Sequence, residues 1–109
     1  DPSTFKGTTI ATENKSIAHE SMTNTTADQN AFIGKNKAVI DIENSVFDKT
    51  GDTTSDDNSN FRGQNAVVLG IEGSQINIKG SFKCFGNQFY IGISVVEYTL
   101  CVECINQLG

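Results

Sequence analysis

Two stretches of the chain carry the same alternation of apolar and polar positions. In "AVIDIE", Ala38, Ile40 and Ile42 fall on one face of an extended strand and Val39, Asp41 and Glu43 on the other. In "SQINIK", Ile76 and Ile78 point one way and Gln75, Asn77 and Lys79 the other. A period of two predicts half-buried strands with the isoleucines turned to a core. A shift of 36 residues superposes Gly34 on Gly70, Ile40 on Ile76, Ile42 on Ile78 and Ser45 on Ser81, while Asp41 meets Asn77 and Val46 meets Phe82. The Asn-Ala pairs at 30–31 and 65–66 align with one residue of slack. No segment longer than about ten residues keeps an apolar repeat at i, i+3, i+4 and i+7, so no amphipathic helix is expected and the fold class is all-β.

The chain divides by pattern. Residues 1–29 are polar and Thr-rich, with a short strand expected at 8–11, and their order must come from what they pack against. Residues 30–84 hold the two repeat copies, interrupted by the hydrophilic "KTGDTTSDDNSN" at 49–60. Residues 85–109 change character. Thirty-six residues is long for one coil of a parallel β-helix, but without the polar stretch about 24 remain, a length at which solenoid coils occur. The stretch then reads as a loop thrown out from one corner. In such a coil equivalent residues stack about 4.8 Å apart, isoleucine on isoleucine inside, and Asn30 and Asn65 are candidates for an amide ladder at a turn. Gly34, Gly70, Gly73 and Gly80 are expected at turns needing positive φ. The expected architecture is therefore a right-handed parallel β-helix of a few coils in a single domain. An antiparallel β-sandwich is the rival, since it also uses short alternating strands, although no Asn-Gly hairpin dipeptide occurs.

The stretches "TADQNAFI" and "ENSVFDKTGDTTSDDNSNFRGQNAVVLGIEGSQINIKGS" carry a resemblance. The chain resembles the adhesin-like, right-handed parallel β-helix repeat proteins of microbial cell surfaces. In these a strand, a K-T/S-G-D element, an acidic Ser/Thr loop, an aromatic-x-G-x-N-A segment and a G-S-x-I-x-I strand recur. The match spans residues 26–81, and Lys49-Thr50-Gly51-Asp52 with Gly63, Asn65 and Ala66 is its most specific part. Arg62 departs from it, standing where an aromatic or other neutral residue is expected. The resemblance implies a β-helix fold and an extracellular or cell-surface location.

After Ser81 the pattern gives way to "FKCFGNQFYIGISVVEYTLCVECINQLG", which holds all three cysteines. Strands are expected at 89–96 and 98–102 from β-propensity. Three readings stand: a segment covering the open end of the solenoid, a tail foreign to the fold in a fragment of a longer repeat protein, or strands that pair with another subunit. Cys101-Val-Glu-Cys104 has redox or zinc spacing, but zinc needs four ligands and only Cys84 and the distant His19 are on hand. Structural cysteines are expected, either all free or with Cys84 paired to one of the other two.

Composition narrows the chemistry. With 8 Lys and Arg against 13 Asp and Glu, the formal net charge is −5 and the basic residues are scattered, which argues against nucleic acid as a partner. No stretch approaches the roughly 20 apolar residues of a membrane helix, and the start at Asp1 shows no signal peptide, so a soluble chain with no membrane span is expected. His19 is the only histidine and is expected in an exposed loop; no nucleophile motif surrounds it, and no enzyme is expected. No cofactor is required, although Asp52, Asp56 and Asp57, with Asn58, offer hard oxygen ligands that suit calcium. Asn14 and Asn24 begin sequons that matter only in a glycosylating host.

Three functional classes follow. The first is a non-catalytic, extracellular adhesin-like module that meets a glycan or cell surface through outward residues such as Asp41, Glu43, Gln75, Asn77 and Lys79. The second is a self-assembling subunit whose open strand edges stack into a homo-oligomer or filament. The third is a fragment of a polysaccharide-degrading enzyme.

Overall fold

The computed structural model describes the backbone of residues 1–85 and of three short strands beyond, and the side chains of residues 1–59 and 61–80. After a single 3-10 turn at Pro2–Thr4 come β1 (Gly7–Ala11), β2 (Lys15–Ala18), β3 (Ser21–Asn24), β4 (Asn30–Gly34) and β5 (Val39–Lys49). A short helix, α1 (Asp56–Arg62), precedes β6 (Val68–Gly70) and β7 (Gln75–Phe85). The strands β8 (Tyr90–Ile91), β9 (Glu97–Tyr98) and β10 (Glu103–Cys104) follow. The fold is mostly β-strand with little helix.

Every ladder among the described residues is parallel, which departs from the antiparallel sandwich. One open sheet runs β1-β4-β6-β8. The other runs β2-β5-β7-β10, with β3 on the second half of β5 and β9 on the first half of β7. Gly34 pairs with Gly70, Ile40 with Ile76 and Ile42 with Ile78, so the 36-residue shift is the physical register of neighbouring strands. Beyond Glu43 the register slips by one. Ser45 lies opposite Phe82 and Val46 opposite Lys83, in place of the expected Ser81 and Phe82. The extra residue sits where β5 and β7 bend, at Asn44 (φ 49°) and Gly80 (φ 66°).

The two sheets bury different faces, and their sequences differ accordingly. Strands β5 and β7 alternate because only one side meets the core: Ile40, Ile42, Ile76 and Ile78 are buried, with Ala38 and Ile17 beside them. Strands β4 and β6 are buried on both sides and read as unbroken apolar runs, "AFI" and "VVL". Phe32 and Val68 join the main core, where the Phe32 ring stacks on Phe47 at 6.2 Å, while Ile33 and Leu69 pack with Phe5 in a second cluster. The polar segment 1–29 thus supplies the layer β1, β2 and β3. Of these only the strand at 8–11 is legible, because this outermost layer buries few side chains.

Two expectations about turns are revised. Gly34 and Gly70 lie within paired strands, and among the described residues the glycines with positive φ are Gly51, Gly63, Gly73 and Gly80. Space at Gly34 is tight, since a Cβ there would stand 3.2 Å from Ile40 Cγ1. Asn30 and Asn65 form no amide ladder. With Phe32 opposite Val68, the two asparagines fall one register position apart, and each amide turns to a different partner.

Candidate functional site

The outward face of β2, β5 and β7 gathers all five residues expected on it. Register places Ser16, Asp41 and Asn77 in one row and Ala18, Glu43 and Lys79 in the next, with Gln75 beside Val39. Glu43, Gln75 and Lys79 are exposed and Asp41 and Asn77 half-buried. Within the first row Asn77 Nδ2 donates to Asp41 Oδ1 at 2.9 Å, which ties amide and carboxylate together across neighbouring strands. At its margin the Val39 N–H donates to Asn14 Oδ1 at 2.8 Å. Ser16, Asp41, Glu43 and Lys79 line a shallow depression. The result is a flat face of hydroxyl, amide, carboxylate and ammonium groups at strand spacing, suited to hydrogen bonding with a polar partner.

The residues most specific to the repeat motif do a different job: they tie down the loop between β5 and β6. Lys49 ends β5 at 2 % exposure, and its ammonium donates to the carbonyls of Thr26, at 2.9 Å, and Thr50. Burial pushes its pKa down, and the nearby Asp28 carboxylate partly restores it. Gly51 adopts φ 96°, and a Cβ there would stand 2.9 Å from Thr25 O, so this approach needs glycine. Asn65, buried and left-handed at φ 68°, accepts from the Asp28 N–H at 3.1 Å and donates to Gly51 O at 2.9 Å. Asn30 Nδ2 donates to Gly63 O at 2.8 Å. Sequence reasoning missed Asp28, whose carboxylate accepts from the Thr54 N–H at 2.7 Å and the Thr54 hydroxyl at 2.6 Å. Those two bonds hold its carboxyl below the usual range. The only signal was the position of Asp28 beside the Asn30-Ala31 pair.

The loop itself is ordered by α1, a helix that no apolar periodicity announced. Ser55 caps it by accepting from the Asn58 N–H at 3.2 Å, Asp56 and Asp57 occupy the first turn, and Gly63 (φ 79°) closes it. Asp56 and Asp57 thus sit where the helix dipole favours negative charge. Among the described residues no three His, Cys, Asp or Glu side chains are grouped to hold a metal ion. Ser59 is buried, and the aromatic of the F-R-G-Q-N-A segment, Phe61, is 72 % exposed on α1.

His19 is an exposed corner residue at φ 56°, its N–H donating to Glu43 O. Asn24 is buried, with its amide on Thr8 Oγ1 and Gln29 Oε1. In the folded chain that sequon is therefore closed to a glycan. Cys84 and Cys104 lie on β7 and β10, while Cys101 and most of the strands expected at 89–96 and 98–102 fall outside the described residues. No helix among the described residues is long and apolar enough to cross a membrane. No protein-family model, curated protein or solved structure matches the chain.

Proposed function

We propose that the chain is a length of right-handed parallel β-helix serving as a non-catalytic, extracellular adhesin-like module, which meets a glycan or another surface through the face formed by Asp41, Glu43, Gln75, Asn77 and Lys79. The observation that carries this reading is the parallel register of β5 on β7, which stacks isoleucines inward and aligns polar groups outward in fixed rows. Right-handed winding is the rule for parallel strands joined by crossovers, and the order β1-β4-β6 beside β2-β5-β7 is what successive coils produce. A glycan array probed with the purified chain tests the binding role. Signal for at least one glycan class is expected, lost on Asp41→Ala with Asn77→Ala and kept on Asp56→Ala; an array negative throughout with a stable monomer counts against it.

A second reading, a self-assembling subunit, is favoured by the exposed edges of β1 and β2, each of which ends its sheet path with backbone groups directed away from the fold. Light scattering over a concentration series separates the two. Growth in size with concentration supports assembly, and constant size supports a surface-binding monomer.

A further inference from the structure

A cleft of about 360 Å³ is bordered by Phe5 and Lys6 from the N-terminal segment, by Asp28 and Gln29 from the approach to β4, and by Asn58 and Gln64 from α1 and the turn after it. That volume lies near the lower end of the roughly 300–1,000 Å³ of small-molecule sites, room for one or two sugar rings. Asn58 and Gln64 are half-buried, and the Gln64 N–H donates to Asn58 O at 3.0 Å. Neither side-chain amide has a hydrogen-bond partner among the described residues. Gln29 uses only the oxygen of its amide, which accepts from Asn24 Nδ2 at 3.0 Å. The carboxylates at the cleft are already engaged: that of Asp28 accepts from the Thr54 N–H and hydroxyl, and that of Asp1 from the Ser3 N–H at 3.0 Å. What the cleft presents is therefore a set of uncharged amides, with the Lys6 ammonium as a further donor.

The ties at the base of the loop hold these groups in place before any ligand arrives. Asn30 Nδ2 donates to Gly63 O at 2.8 Å, joining the residue after Gln29 to the residue before Gln64. The Asp28 N–H donates to Asn65 Oδ1 at 3.1 Å, joining the residue before Gln29 to the residue after Gln64. Gln29 and Gln64 thus stand on backbone that is cross-linked on both sides, so little ordering of the chain opposes binding. From this geometry we infer that the cleft is a binding site for an uncharged mono- or disaccharide. A side-chain amide both donates and accepts, which matches sugar hydroxyls that do the same, and Phe5 supplies apolar surface for the C–H face of a ring. The cleft shares no residue with the flat face of β2, β5 and β7, so the assignment stands whether or not that face binds a partner. Contacts of this number hold a single sugar at a Kd of about 1 mM, a strength read in solution and lost when an array is washed.

The test is a titration of the isotope-labelled full chain with glucose, galactose, mannose, cellobiose and lactose to tens of millimolar, followed by NMR of backbone and side-chain amides, with glycerol as the blank. Saturable shifts centred on the side-chain amides of Gln29, Asn58 and Gln64 are expected for at least one sugar and not for glycerol. Asn58→Ala with Gln64→Ala should weaken that binding by about tenfold or more while the other backbone signals keep their positions. Should the double variant not fold, the map of shifts on the wild-type chain decides alone. No saturable shift with any of the five sugars, the same shifts with glycerol, or unchanged affinity in a folded double variant would overturn the assignment. Shifts centred on Gln75 and Asn77 would overturn it too, and would assign the sugar to the flat face instead.

Discussion

Asn65 shows how much structure one side chain can hold at a left-handed position. Its backbone sits where asparagine and glycine are tolerated, and its amide bridges Asp28 and Gly51 across the base of the loop. Asn65→Ala should lower unfolding free energy by about 2–4 kcal/mol, combining two lost hydrogen bonds with alanine's poorer tolerance of the left-handed conformation. Asn65→Gly should lose less, because it keeps the backbone conformation; equal losses in urea titrations of the two variants would mean that the conformation contributes nothing. Asp28 adds a dependence on pH. Its folded carboxyl titrates below the usual 3.8, so its stabilising contribution is complete above that value and disappears as pH falls through the folded pKa. Urea midpoints of the wild type and Asp28→Asn should therefore converge in the acid range and differ most at neutral pH. Neither role could be read in advance. Thr53 and Thr54 stand about 25 positions from Asp28, and a contact made by folding leaves no local pattern.

The strands were legible where burial is one-sided. Period-two alternation in β5 and β7 predicted both the buried isoleucines and the five outward residues, because a single residue of slip would turn every side chain to the wrong face. The extra residue near Gly80 was not legible, since it changes the register without changing the alternation before it. At this bend a Cβ on Gly80 would lie 2.8 Å from Asn44 Oδ1 in a left-handed conformation. Gly80→Ala should therefore cost about 1–2 kcal/mol or more, and part of the loss should return when Asn44→Gly is added, as a double-mutant cycle in urea would measure. The helix α1 escaped for another reason. Its seven residues are too few for apolar periodicity, and its signals are caps: Ser55 before, Gly63 after. Ser55→Ala should weaken it by about 1 kcal/mol and speed limited proteolysis within the loop while leaving the global unfolding midpoint nearly unchanged.

For the molecule as a whole, stability rests on columns of like residues running through the layers. Ile76 pairs with Ile40 and has no exposed surface, so Ile76→Ala should cost about 2–5 kcal/mol by thermal or urea unfolding. Gln75→Ala, one residue away on the outer face, should stay within about 0.5 kcal/mol. Comparable losses at both positions would show that the inside-outside division is not what holds the layers together. The layers also differ in length in an informative way. Gly7 pairs with Asn30 and Lys15 with Ile40, offsets of 23 and 25 residues, whereas Ile40 pairs with Ile76 at an offset of 36. The surplus is concentrated between Lys49 and Asn65, whose side chains close the gap at its base irrespective of what lies between. Growth or replacement at this corner leaves the stacked rows in place. The α1 loop is accordingly a permissive insertion point, where a foreign peptide could be displayed on the exterior without asking the scaffold beneath it to change.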